Sequence, residues 1–189
     1  MAGAAVAEAL FGRVNPSGKL PASFPRSAEH CPIYYNVKSS GRPKGGPADY
    51  QVGYVDSPMA PIYPFGHGLS YATFVYDRLS ISPARVPANG KVRIRVRVVN
   101  VSDRDGEEVV QLYVRDPVAI ATRSVKELKG FQKIMLARGE AKTVLFELSV
   151  ADLVFYDQRM KLVVEPGTIQ VWVGTSSMRN LEGSFEIFA

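Results

Sequence analysis

Lys91-Val92-Arg93-Ile94-Arg95-Val96-Arg97-Val98-Val99-Asn100 is the stretch on which the reading of the fold turns. Valine or isoleucine stands at 92, 94, 96 and 98, and arginine fills 93, 95 and 97 between them. Successive side chains of a strand point to opposite faces, so this period of two sets one apolar row inward and one cationic row outward. The segment reads as a half-buried strand.

The same alternation recurs outward from it. Val110, Leu112 and Val114 repeat it, as do Val144, Phe146 and Leu148, then Ile169, Val171 and Val173, with Phe185 and Ile187 near the end of the sequence. Turn-forming residues separate these runs: Pro87-Ala88-Asn89-Gly90, Ser102-Asp103-Arg104-Asp105-Gly106, Arg138-Gly139-Glu140 and Glu165-Pro166-Gly167. About seven short strands over roughly 115 residues is the pattern of an immunoglobulin-like or fibronectin type III-like β-sandwich. With Cys31 as the single cysteine, no intrachain disulfide can pin the sheets, so burial alone has to hold them.

Toward the N-terminus the character of the sequence changes. From Asn15 to Tyr63 it is punctuated by Pro, Gly and Ser, densest at Gly41-Arg42-Pro43-Lys44-Gly45-Gly46-Pro47, which leaves no room for a helix or a long strand. Phe24, Tyr34, Tyr35, Tyr50, Tyr54 and Tyr63 are too many aromatics for a disordered linker, and they predict an extended segment wrapped over another body. Ahead of it, Met1 to Phe11 is Ala-rich with Val6 and Leu10 one turn apart, and Gly12 stands where a left-handed cap belongs. This reads as the end of a short helix. It lacks an N-cap and a preceding element, the expected look of a chain cut from a longer one. A secretory leader fits poorly, because no basic n-region opens the sequence and Glu8 interrupts the apolar run.

The 189 residues are 46% hydrophobic and 22% charged, and none of the apolar runs approaches the ~18 residues of a membrane span. Twenty-three Lys and Arg face 18 Asp and Glu, and the net charge of +5 is scattered rather than gathered into basic tracts. Neither a membrane nor nucleic acid is the expected partner.

His30 and His67 do not have metal spacing, and His67, in Phe65-Gly66-His67-Gly68, reads as a turn histidine. Cys31 beside His30 suggests a thiol nucleophile less readily than a buried structural cysteine. Asp103, Asp105, Glu107 and Glu108 could converge on calcium, but a solvated hairpin loop is the simpler reading. The Lys91, Arg93, Arg95, Arg97 stripe reads as a solvent-facing or domain-facing strand surface. Asn100-Val101-Ser102 has the form of a glycosylation acceptor. Nothing places two carboxyl groups across a sugar-sized cleft as glycoside hydrolysis requires. Residue pattern alone therefore assigns no catalytic, cofactor-binding or metal-binding residue.

The motifs say more. Glu8-Ala9-Leu10-Phe11-Gly12, Asn15-Pro16-Ser17-Gly18-Lys19-Leu20-Pro21-Ala22-Ser23-Phe24-Pro25, Pro32-Ile33-Tyr34-Tyr35-Asn36 and Tyr63-Pro64-Phe65-Gly66-His67-Gly68-Leu69-Ser70-Tyr71 resemble, in order, the C-terminal portion of glycoside hydrolase family 3. Gly106 to Asp116, Lys126 to Phe131, Val164 to Gly167 and Val173 to Ser177 continue the resemblance, whose flavour is that of bacterial periplasmic β-glucosidases. It departs at Val52-Gly53-Tyr54, where many relatives read Ser-Arg-Tyr.

The resemblance implies three parts: residues 1–35 as the end of an α/β sandwich domain, 36–73 as an interdomain wrap, and 74–189 as a mainly β, fibronectin type III-like domain. It also implies that the nucleophile aspartate and acid/base glutamate lie in domains ahead of Met1, so that this chain stabilises and positions them without performing chemistry. No cofactor follows from it. The expected partners are those catalytic domains or a second copy of the chain, with weak carbohydrate contact as a further role, and the parent family suggests a periplasmic or secreted setting. The rival reading is an autonomous module, binding sugar through Tyr113 or Trp172 or binding protein.

Overall fold

The computed structural model describes residues 2–38, 58, 60–178 and 180–188. Tyr50, Tyr54, the Gly41–Pro47 run and the Val52-Gly53-Tyr54 departure lie outside them. Among the described residues ten strands form: β1 (Phe74–Ser82), β2 (Arg85–Pro87), β3 (Lys91–Asn100), β4 (Gly106–Arg115), β5 (Glu127–Leu136), β6 (Ala141–Ser149), β7 (Phe155–Tyr156), β8 (Leu162–Val163), β9 (Gly167–Gly174) and β10 (Asn180–Phe188). One sheet runs β1-β3-β6 and the other β2-β10-β9-β4-β5, while β7 and β8 make a separate hairpin. All pairings are antiparallel except that of β2 with β10. This is a mainly β, fibronectin type III-like sandwich.

The alternation of β3 is its burial pattern. Val92, Ile94, Val96 and Val98 are wholly buried, and Lys91, Arg93 and Arg95 are exposed. They meet Val144, Phe146 and Leu148 of β6, Val110, Leu112 and Val114 of β4, Ile169, Val171 and Val173 of β9, and Phe185 and Ile187 of β10 in a single apolar core. Each such side chain is worth about 2 kcal/mol on removal from water. Turn chemistry sets the register: Gly90 N–H donates to Pro87 O at 2.8 Å, and Gly139 adopts φ +74° in the turn where Glu140 N–H donates to Ala137 O.

Three strands depart from long, regular pairing. β1 carries a bulge between Asp77 and Ser80 with Arg78 at φ 51°, β5 bulges opposite Leu112 and Tyr113, and β2 pairs over only three residues.

The N-terminal helix α1 (Ala2–Leu10) forms as expected. Gly12 N–H donates to Ala9 O and Arg13 N–H to Glu8 O, with Gly12 at φ +71°, the paired closing bonds of a Schellman cap. The extended segment, expected to hold no helix, includes one turn of 3-10 helix at Ala28–His30. No helix among the described residues is long and apolar enough to cross a membrane.

Asn100, the candidate glycosylation acceptor, is fully buried. Its amide donates to Arg104 O at 2.6 Å and Leu136 O at 3.2 Å, and its Oδ1 accepts from Ser102 N and Oγ. The sequon is thus a structural bracket between the β3–β4 turn and β5. Asn100→Ala strands buried carbonyls and is expected to cost about 2 kcal/mol, read as a lower midpoint in urea unfolding with the slope unchanged.

Candidate domain-docking site

The extended segment was expected to lie on another domain. Its inner side lies instead along β4 and the turn before it, anchored at intervals to this chain's own sandwich. Asn15 Nδ2 donates to Asp105 O at 3.0 Å while its Oδ1 accepts from Ser70 Oγ and Tyr71 N, both at 2.8 Å. Ser17 Oγ donates to Glu107 Oε2 at 3.0 Å. Lys19 Nζ sits 3.0 and 3.2 Å from the two carboxylate oxygens of Glu108, which also accepts from Tyr76 Oη at 3.0 Å.

Glu108 is 3% exposed. Burial pushes its carboxyl above the usual carboxylate range, and Lys19 and the Tyr76 hydroxyl pull against that rise. Tyr76 is itself pushed upward by burial and by the neighbouring carboxylate. The opposite holds for Glu107, held low by hydrogen bonds from Lys133 and Ser17 in an open setting.

Further along, two extended runs pair with each other. Leu20 N–H donates to His67 O, Gly66 N–H to Leu20 O, Phe24 N–H to Tyr63 O and Ile62 N–H to Phe24 O, all between 2.8 and 2.9 Å. The buried Gln111 of β4 clamps this pair from below, its Nε2 donating to Gly66 O at 3.1 Å and Thr175 O at 2.8 Å while its Oε1 accepts from Tyr113 Oη. Gly66 has φ +78°, and a Cβ there would lie 2.0 Å from Gln111 Oε1. Tyr35 completes the seam, stacked on Phe65 at 4.2 Å and edge-on to Tyr113 at 5.9 Å.

The outer side is different. Helix α1 buries none of its residues, Phe11 is 84% exposed, Leu69 75% and Tyr34 63%, and Phe24, Tyr63 and Tyr71 are exposed as well. A cleft of about 320 Å³ lined by Ile33, Tyr34, Tyr35, Pro61, Pro64 and Met178 opens on the same segment. This is a layer fastened on one face and apolar on the other, the form of a surface that receives a second body.

The residues singled out from sequence do not converge. Cys31 is exposed, not buried as expected, because the turn at Ala28–His30 tucks the His30 side chain inward in its place. The His67 ring stacks on Tyr63 at 5.0 Å. Of the acidic cluster, Asp105 accepts from Arg138 N, Glu107 pairs with Lys133 and Glu108 turns inward to Lys19. Among the described residues, no group of three His, Cys, Asp or Glu is placed to hold a metal ion. In the cationic stripe, Arg93 pairs with Glu147 and Arg97 with Asp77, whose carboxyl this pairing holds low. Tyr113 is fully buried, and Lys126 lies 4.5 Å over the Trp172 ring, so neither offers the open platform that a sugar-binding reading gave it. Lys19, Glu108 and Gln111 went unsingled as a site. Glu108 interrupts the inward apolar row of β4, whereas Gln111 lies on the opposite face beside Tyr113 and Lys19 stands in the extended segment, so only Glu108 breaks the strand's pattern in the sequence.

Fold and seam together define a fibronectin type III-like sandwich with a strapped N-terminal segment. A family model for the glycosyl hydrolase family 3 C-terminal domain matches residues 1–71, and one for a fibronectin type III-like domain matches residues 108–177. The chain is 46% identical over 187 residues to a periplasmic β-glucosidase of Salmonella typhimurium, covering 98% of this chain and 24% of that protein. It is 44% identical over 178 residues to a β-xylosidase of Formosa agariphila, covering 93% and 24%. A crystal structure of β-glucosidase from Listeria innocua in complex with glucose superposes with a TM-score of 0.91 at 40% identity, over 97% of this chain and 26% of that one. The chain belongs to glycoside hydrolase family 3, as the C-terminal part that ends in the fibronectin type III-like domain. It spans about a quarter of the length of the relatives it matches.

Proposed function

We propose that this chain is the non-catalytic C-terminal part of a family 3 β-glycosidase and that it stabilises and positions the catalytic domains. The observation that carries the reading is the two-sidedness of the N-terminal layer. Its inner side is fixed to β4 by Lys19, Asn15 and the Gln111 clamp, while α1 and the outward aromatics remain uncovered. A nine-residue helix is shorter than the ~12 residues at which isolated helices become even marginal, so α1 depends on a neighbour. Terminal β-glucosides, or related β-glycosides, are the substrates of the whole enzyme, and its two carboxylates belong to the domains that dock here.

The test is complementation. A family 3 β-glucosidase such as the Salmonella relative, cut before its last quarter, is co-expressed with this chain. Co-purification of the two, with aryl β-glucoside hydrolysis that neither shows alone, is expected. The reading falls if the chain prefers its own copies in the presence of the catalytic domains. It also falls if pure chain turns over substrate and loses that activity on mutation of one of its own carboxylates.

A further inference from the structure

The strap is held by β4, and the strand beside β4 carries an uncovered apolar patch of its own. In the β4–β5 register Glu107 lies opposite Met135 and Gln111 opposite Phe131. Directly opposed residues of an antiparallel pair project from the same face. Glu107 and Gln111 hold the strap, through Ser17 Oγ and Gly66 O, so Phe131 and Met135 leave the sheet on the strap's side. Phe131 is 67% exposed and Met135 48%, while Ile134 and Leu136, alternating with Met135, turn to the core.

Three observations say how a partner meets this patch. The rim beside it is closed to an added strand, because Gln132 Nε2 donates to Leu145 O and Lys142 Nζ to Met135 O, both at 2.6 Å, lacing β5 to β6. The lysines flanking Phe131 are already matched, Lys133 by Glu107 at 2.6 Å and Lys129 by Glu127 at 3.1 Å. Contact here is therefore made by apolar side chains packing on a sheet face, not by strand pairing or by charge. The third observation is reach. A specific interface takes about 800 Å² from each partner, a patch roughly 28 Å across. Neighbouring strands lie ~4.8 Å apart. A body seated on the outward residues of the strap, Phe11 and Leu69 among them, thus extends over β5 as well.

We propose that the surface receiving the catalytic domains continues from the strap onto the outward face of β5, with Phe131 as its aromatic anchor and Met135 beside it. The occupant is the body that makes up about three quarters of the length of the matched relatives, and it presents an apolar, uncharged patch to β5. This inference rests on the reading of the chain as the docking part of a family 3 enzyme. It adds that the sandwich itself, and not the strap alone, is gripped.

The test is the affinity of this chain for the Salmonella relative cut before its last quarter, measured by titration calorimetry. Phe131→Ala is expected to weaken the complex about thirtyfold, the loss typical of an aromatic anchor, and Met135→Ala about fivefold. Leu145→Ala, a half-exposed apolar change on β6 in the other sheet, should bind as the unaltered chain does. Since Phe131 and Met135 face solvent, the lone variants should keep the Tm of the unaltered chain, which separates lost contact from lost folding. Unchanged affinity of Phe131→Ala, or an equal loss with Leu145→Ala, would overturn the β5 footprint and leave the docking reading standing. Failure of the unaltered chain to associate would overturn both. A dimer of the isolated chain that Phe131→Ala dissolves would give the patch to a second copy and overturn the assignment to the catalytic domains.

Discussion

Lys19→Met is expected to lower stability at neutral pH by about 3 kcal/mol, near 9 °C in Tm for a chain of this size, because it leaves the Glu108 carboxylate buried with only the Tyr76 hydroxyl for company. The pH dependence distinguishes lost charge from lost packing. Glu108 is already raised in the folded state, and without Lys19 it rises further. A carboxyl whose folded pKa exceeds its unfolded one makes the fold less stable as pH rises, a cost that is absent below the unfolded pKa, grows between the two values and is complete above the folded one. The deficit of Lys19→Met should therefore shrink on going from pH 7 to pH 4, and Lys19→Met with Glu108→Gln should recover much of it at pH 7. A deficit equal at both pH values would mean that the lysine contributes through its aliphatic stem.

Gly66→Ala is expected to cost about 3 kcal/mol. The left-handed backbone at φ +78° accounts for roughly 1 kcal/mol of that. The remainder comes from Gln111, whose Oε1, Cδ and Nε2 stand 2.0, 2.8 and 2.9 Å from the new methyl. Gln111 cannot simply swing aside, since it is buried and bonded to Gly66 O, Thr175 O and the Tyr113 hydroxyl. Gly139→Ala is the control: its φ is +74°, but no atom stands within 4 Å of the added carbon. It should lose the backbone part alone. Calorimetry on the pair gives the difference, and equal losses would show that the Gln111 clamp yields at little cost.

The β-sandwich was legible because β3, β6, β9 and β10 each bury one face and leave the other wetter, and a period of two survives in the residue order. β5 was harder to see. It is an edge strand with a bulge, and its Phe131 and Met135 face solvent, so its apolar residues do not mark the core. β1 hides its period behind the bulge at Arg78. The short helix was readable from local chemistry because Gly12 closes it within two residues.

The seam was not readable. Lys19 and Glu108 are 89 residues apart, and neither shows in sequence that it has left water. The edge-on contact of Tyr35 with Tyr113 is similarly remote, which is why the aromatics of the wrap looked as though they all faced another domain. Among the described residues, only the outward set, Tyr34, Tyr63 and Phe24 among them, has that orientation. Cys31 was misplaced for a related reason: burial of neighbouring residues in an irregular segment depends on one local turn, which proline and glycine punctuation does not specify.

The two rims of the five-stranded sheet have a bearing on how the molecule behaves in concentrated solution. At one rim, β2 covers only Glu186 to Phe188 of β10, ends in Pro87, which has no N–H to offer, and carries Arg85 in an ion pair with Glu186. At the other, β5 sets Lys129 and Lys133 on either side of the exposed Phe131. Proline, short length and flanking lysine are the devices by which natural sheets refuse an incoming strand. A chain that shows so much wet aromatic surface is thereby guarded against ribbon-like polymerisation.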